Sequence, residues 1–452
     1  MKKKYKLRLI EPSQIIHNNL KKFKKSFAPS RTLAYIAALT PLDYEVSILI
    51  ETLEDIDFNK RVDLVGLTSA TSQLPRAIQI ANEYRKRGVK VIIGGVAASF
   101  LKNEISTYFD SIILGEVENI WETVLIDFKN NNLKKIYIAD EKNTLEKIPF
   151  PRFELLPLHK YTRPRVGFLK SKWPNIPIET ARGCPHDCSY CCTSKYFGHE
   201  VRFRPIKEVV KEIKKFPRSF IVFTDDNICS SPKRSKELFK ALIPLKIRWF
   251  GQFTTLAAYD EELIQLAGES GCAVAFLGIE SISQKALSSV KKNFNKVKNY
   301  PRIFKTFKNS GILVNTSLMF GFDEDDAQSI DDTINFLIEQ KISIMVQWIL
   351  TPIPGSELYS RLEKEGRLLH KDYSKYDGTN VVFRPKKMSH SELEAEFWKA
   401  FQKFYSISSI FTRLSKNLSQ FPLLLQRNLF FRKMVRKRVH PYSGGILLNR
   451  RI

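Results

Sequence analysis

The chain has 452 residues, 43% apolar and 27% charged, which is too long for one ordinary core and too apolar for a disordered polymer. Its formal net charge of +26 sits mostly at the ends: residues 1–41 hold ten Lys/Arg against one acid, and residues 397–452 hold twelve against none. No apolar run reaches the roughly eighteen residues of a membrane span, and four of the six cysteines fall within nine residues, a spacing that suits a metal site better than a disulfide framework.

The start, "MKKKYKLRLIEPS", has too few apolar residues before Glu11 and Pro12 for a signal peptide. It reads as a first strand of a cytoplasmic protein. Strands are predicted at "YKLRLI", "EVSILI", "VDLVGLTS", "VKVIIGG" and "SIILGE", with the amphipathic helix "LPRAIQIANEYRKRG" between the third and fourth. Strand, helix, strand at this spacing predicts an α/β, doubly wound parallel sheet over residues 1–135. Residues 136–172, rich in Pro and charge, read as a linker. A second series follows over 173–385, with strands at "NIPIET", "RSFIVFTDD", "KIRWFGQFT", "CAVAFLGIES", "GILVNTSLMFGF" and "ISIMVQWILTP". Six βα units in a row predict a barrel or partial barrel whose active edge lies at the carboxyl ends of its strands. Residues 386–452 read as a basic helical extension. Its "FPLLLQRNLFFRKMVRKRVH" mixes Leu/Phe with Arg/Lys as an interfacial helix on an anionic membrane would.

The stretch "RGCPHDCSYCC" follows the first strand of the second series, at the active edge. Cys184, Cys188 and Cys191 form a C-x3-C-x2-C run, three thiols on one loop with one coordination position left over. Zinc would need a fourth ligand, for which Cys192, His186 and His199 are at hand, but structural zinc draws its ligands as two separated pairs. Iron–sulfur clusters accept cysteines in one run. Cys192 is also read as a buried small side chain beside the loop, and Cys229 and Cys272 as core residues.

This run, with Tyr190 before its last cysteine, resembles the radical S-adenosylmethionine superfamily. The resemblance implies a radical SAM (β/α)6 partial TIM barrel in which Cys184, Cys188 and Cys191 hold a 4Fe–4S cluster. S-adenosylmethionine would chelate the open iron and be cleaved to a 5′-deoxyadenosyl radical. Tyr190 would lie near the adenine. "FTDDN" places Asp225 and Asp226 where the family contacts the amino group of S-adenosylmethionine, a simple turn being the other reading. "FLGIES" places Glu280 or Ser281 at the ribose or a substrate group. Asp323 to Asp326 in "GFDEDD" bind at the same edge or cap the next helix, and "TPIPG" sets shape.

The doubly wound domain ahead of this barrel resembles the subgroup with a cobalamin-binding-like domain (Rossmann/flavodoxin-like). There the nucleotide tail of cobalamin passes a Ser turn and a Gly-Gly turn, which here are Ser69 to Thr71, and Gly94 with Gly95. No histidine stands between His17 and His159, so this domain supplies no histidine ligand to the cobalt. The expected function is cobalamin-dependent methylation of an unactivated carbon on a small molecule, a lipid included, with a reductant such as flavodoxin or ferredoxin. The alternatives are a radical enzyme that cyclises or couples carbons without methyl transfer, and a zinc-bearing RNA-binding protein with basic ends on phosphate. The last leaves the barrel-edge motifs unexplained. A tRNA methylthiolating enzyme would carry further cysteines, and none precedes Cys184.

Overall fold

Two parallel sheets of six strands organise the chain. The computed structural model describes residues 4–16, 18–139, 142–166, 169–415, 421–442 and 445–447. The first sheet contains β1 (Tyr5–Glu11), β2 (Tyr44–Ile50), β3 (Leu64–Thr68), β4 (Lys90–Gly94), β5 (Ser111–Leu114) and β6 (Ile136–Ile138). They stand in the order β2-β1-β3-β4-β5-β6, and the strand order reverses between β1 and β3. In open α/β sheets such a reversal leaves a ligand crevice outside the carboxyl ends.

Alternation along these strands explains why both faces are covered. Leu7, Leu9, Leu64 and Ile92 point to one side, with α1 (Arg31–Leu39). Ile10, Val65, Leu67, Val91 and Ile93 point to the other, with α2 (Leu74–Lys86). A short helix α3 (Val96–Phe100) follows β4, and α4 (Trp121–Lys129) follows β5. The stretch read as linker holds β6, a three-residue strand too short to show a period in sequence.

The second sheet runs in chain order: β7 (Ile176–Ile178), β8 (Phe220–Phe223), β9 (Arg248–Phe253), β10 (Cys272–Glu280), β11 (Leu313–Phe320) and β12 (Ile344–Ile349). Every neighbouring pair is parallel. The connections carry α5 (Thr193–Phe197), α6 (Ile206–Lys214), α7 (Pro232–Leu242), α8 (Glu261–Glu269), α9 (Tyr300–Asn309), α10 (Ala327–Glu339) and α11 (Glu357–Lys364). Trp249 stacks on Phe239 of α7, so its neighbour Phe250 points inward and meets Phe276.

This arc ends at β12, whose outer edge is covered by polar groups from elsewhere. Tyr405 Oη donates to Met345 O (2.6 Å) and accepts from Met345 N, His440 Nε2 lies 2.8 Å from Gln347 O, and Ile349 N donates to Gly378 O (2.7 Å). Covering an exposed strand edge in this way prevents pairing with another chain.

The C-terminal extension is helical as read: α12 (His390–Phe404), α13 (Ile407–Leu414) and α14 (Phe421–Arg436). It is not a free interfacial helix. Arg413, fully buried, donates to Ile342 O, Ser343 O and Phe404 O, each at 2.9 Å, and to Asn428 Oδ1 at 3.0 Å. α14 buries Leu424, Asn428, Phe431, Met434 and Val435 and leaves its other face outside.

Candidate active site

Gly183 opens the cysteine loop with φ +100°, and a Cβ there would stand 2.4 Å from Glu200 O. Only glycine fits this close return of the chain. Cys191 N donates to Cys188 O (2.9 Å), making a tight turn between the second and third cysteines. Ser189 N donates to Val290 O (3.1 Å) and Ser189 O accepts from Leu358 N (2.7 Å), which pins the loop on both sides. Thr193 N points at Cys191 Sγ from 3.4 Å, the type of contact that stabilises a sulfur ligand carrying negative charge. All three thiols are free, and burial pushes the Cys188 thiol up to about 11.

Beside them lies a cation that the motifs did not reveal. Lys292 is buried, 7% exposed, and donates to Glu280 Oε1 at 2.8 Å and to Tyr190 Oη at 3.2 Å. Burial disfavours its charge, but Glu280, Cys188 and Cys191 outweigh that and hold its ammonium above the usual range. In sequence it looks like any surface lysine, and its neighbour Lys291 is one, exposed and paired with Glu357. Glu280 adopts φ +62°, and its Oε2 is buried without a partner. A strained backbone and an orphaned carboxylate oxygen in one residue leave a buried polar atom with a position to fill.

The remaining candidates separate by what they already hold. Asp225 is buried and accepts from Thr180 N (3.1 Å) and Thr180 Oγ1 (2.7 Å), so it clasps β8 to β7; burial pushes its carboxyl up to about 7. Asp226 faces the cysteine loop, accepting from Thr193 Oγ1 at 3.2 Å. Ser281 is buried, and its Oγ accepts from Ser283 N in the turn after β10. Asp326 caps α10, Asp325 accepts from Gly321 N and Phe322 N, and Asp323 pairs with Arg361 and Arg367. Cys192, read as buried, is half-exposed at the head of α5, while Cys229 and Cys272 are buried.

Three thiols on one turn, a sulfur-directed N–H and a buried ammonium suit a cluster whose irons each take one cysteine.

On the first domain, Ser69 is buried with an unpartnered Oγ at the carboxyl end of β3, and Thr71 is buried two residues on. Gly95 has φ +95°, and a Cβ there would press Thr68 Oγ1 at 2.9 Å. Gly95 thus lets the two turns pack closely, and the orphaned Ser69 hydroxyl beside them fits a ligand lying over these turns, as a cobalamin tail would. Other residues at this end of the first sheet meet the barrel. Tyr196 of α5 donates to Gly115 O (2.9 Å) and meets Phe100 of α3 edge-on, while Phe100 lies against Gly355 after β12. Behind the cysteine loop, Arg182 bonds Glu116 and Glu118 of the first domain and Glu179 of the second, and Arg202 also bonds Glu116. The carboxyl ends of both sheets therefore meet.

A six-stranded parallel arc with three cysteines after its first strand defines a radical enzyme of the S-adenosylmethionine-cleaving type. Comparison with known proteins agrees. Residues 178–337 match the family described as the radical SAM superfamily, and residues 356–437 match a domain of unknown function, DUF4070. The chain is 30% identical over 391 residues to the bacteriochlorophyllide d C-12(1)-methyltransferase of Chlorobaculum tepidum, covering 84% of each chain. It is 23% identical to the hopanoid C-2 methylase of Rhodopseudomonas palustris, over 83% of this chain and 70% of that one. The structure of the cobalamin-dependent S-adenosylmethionine radical enzyme OxsB superposes with a TM-score of 0.65 at 13% identity, over 97% of this chain and 76% of that one. The chain belongs to the radical SAM superfamily, and its cofactors include a 4Fe–4S cluster and S-adenosylmethionine.

Proposed function

We propose that this enzyme transfers a methyl group from S-adenosylmethionine to an unactivated carbon of a small, largely apolar molecule, with cobalamin held between the two domains. The observation that supports this reading is the meeting of Gly115, Phe100, Tyr196 and Gly355, which joins the carboxyl ends of the two sheets beside the cysteine loop; the Ser69 and Gly94–Gly95 turns follow strands at that same end of the first sheet. Cys184, Cys188 and Cys191 would hold the cluster; Ser69, Thr71, Gly94 and Gly95 would cradle cobalamin. When bound, the cluster would supply one electron to S-adenosylmethionine and cobalamin would carry the methyl group. The protein's own part is to position. Lys292 and Glu280 set charge and polar contacts beside the cysteines, Asp226 faces their loop, and the first domain shields the edge from water. Relatives named as methylating a bacteriochlorophyllide and a hopanoid support both the chemistry and a largely apolar substrate, a lipid included. An electron donor of the flavodoxin or ferredoxin kind and a cytoplasmic location complete the reading. No helix among the described residues is long and apolar enough to cross a membrane.

Anaerobic expression with cobalamin, followed by metal analysis, tests it. About four irons and about one cobalt per chain are expected, with iron lost in Cys184→Ala, Cys188→Ala and Cys191→Ala and kept in Cys192→Ala. Iron without cobalt sinks the methyl-transfer reading and leaves carbon coupling or cyclisation; zinc in place of iron sinks both.

A further inference from the structure

The outer face of α14 has two features that the chemistry of the site does not use. Along its length it exposes large apolar side chains: Leu423 is 66% exposed, and Leu429 and Phe430 are each 42%. Its second half frames a shallow depression of about 320 Å³, lined by Arg432, Lys433, Arg436, Lys437 and Leu429. Among the described residues none of these four cations has a carboxylate within ion-pair distance; Arg432 donates only to Tyr405 O. Residues 397–452 contain no acid at all. Four unpaired cations around one depression repel each other until an anion arrives.

Leu423 and Phe430 fall one above the other at seven-residue spacing with Lys433 and Lys437 beside them, while Arg436 and Arg432 lie further round the exposed arc, Arg432 nearly opposite Leu423. The opposite side is held by Leu424, Asn428 and Phe431. Because Arg413 and Asn428 lock this helix to the barrel, its outer face is presented in a fixed orientation. On the preceding helix Phe411, 50% exposed, meets Phe421 at a ring distance of 6.3 Å and extends the apolar strip.

We propose that this face docks on an anionic lipid bilayer, with Leu423, Leu429 and Phe430 at the acyl boundary and the cations on headgroup phosphates. Apolar insertion beside a basic cluster is how a helix lies in a membrane interface, and two of the three exposed apolar side chains here, Leu423 and Leu429, offer a base no ring to stack on. The docked helix would set the covered edge of β12 against the bilayer.

The test is flotation of the reconstituted full-length holoenzyme with phosphatidylcholine vesicles, with and without phosphatidylglycerol. Wild type is expected to float only with phosphatidylglycerol. Each cation near an anionic leaflet is worth about fivefold in affinity, so Lys433→Gln/Arg436→Gln/Lys437→Gln should lose roughly hundredfold. Leu423→Gln/Phe430→Gln should lose at least tenfold, on the order expected for two exposed side chains. Lys298→Gln/Lys305→Gln/Lys308→Gln, which removes the same charge from α9 and the turn before it, should bind as wild type with iron content unchanged. Equal loss in that control, or no flotation of wild type, overturns the proposal. So does tail-dependent binding of single-stranded RNA without vesicle binding.

Discussion

At the residue scale, Lys292 shows what burial does to an ion pair. Its ammonium and the Glu280 carboxylate are both nearly closed off from water, so removing one leaves the other charged, buried and alone. Breaking such a pair costs about 3 kcal/mol or more, whereas replacing both partners with apolar groups costs far less. Lys292→Met should therefore lower the urea midpoint by an amount equivalent to about 3 kcal/mol, and Lys292→Met/Glu280→Leu should recover part of it. A Lys292→Met midpoint equal to wild type would show that the pair is solvated and the account wrong. The same residue explains why part of the site is hidden from sequence. Cys184, Cys188 and Cys191 announce themselves because their spacing has few other uses. Lys292 follows another lysine in a helix-like run, and only the fold shows that one points out and the other in. Asp225 is the converse case: its place after a strand suggests a ligand, yet its oxygens are already taken by Thr180.

At the element scale, the strands of both sheets were legible because β-branched and aromatic runs bounded by Gly, Asp and Asn have few competing readings. The sixth strand of the first sheet was not, since Ile136–Ile138 is too short to carry a period. How the tail closes the edge of β12 was also illegible, because it depends on single groups from distant segments. His440 is one of them. It is buried against Trp348, its Nε2 is 2.8 Å from Gln347 O, and burial pushes its imidazole down to about 4 from an ordinary 6.5. Nearby Asp377 opposes that shift and Lys21 assists it. A base whose folded value is depressed contributes stability that is full above its ordinary value and is lost as pH falls from 6.5 through 4. The loss amounts to about 3 kcal/mol when complete. Asp225 and Asp325, both pushed up to about 7, act in the opposite sense. The effect is therefore isolated as the difference between wild type and His440→Gln. That difference should shrink between pH 6.5 and 4.5 in urea unfolding; a constant difference would remove the buried neutral imidazole as its cause.

At the scale of the whole molecule, the proposed function depends on how the two sheets meet, and the tightest apolar contact in that meeting is between Gly355 and Phe100. Gly355 has φ +90°, and a Cβ there would stand 2.3 Å from the ring of Phe100. Phe100 in turn touches Tyr196 on the helix that ends the cysteine loop. The cysteine loop has its own anchors in Val290 and Gly198, so it should keep its shape if the first domain is pushed aside. Gly355→Ala forces overlap between the domains, and overpacking of this kind costs about 1–3 kcal/mol. The expected result is a protein with wild-type iron and at least tenfold weaker retention of cobalamin. Phe100→Ala alone should leave a cavity but no clash. Gly355→Ala/Phe100→Ala should regain much of the cobalt, short of wild type because the alanine still sits at a positive φ. Loss of iron and cobalt together in Gly355→Ala would mean that this contact supports the cysteine loop itself. Full retention of both would mean that the cobalamin seat does not depend on where the two sheet edges meet.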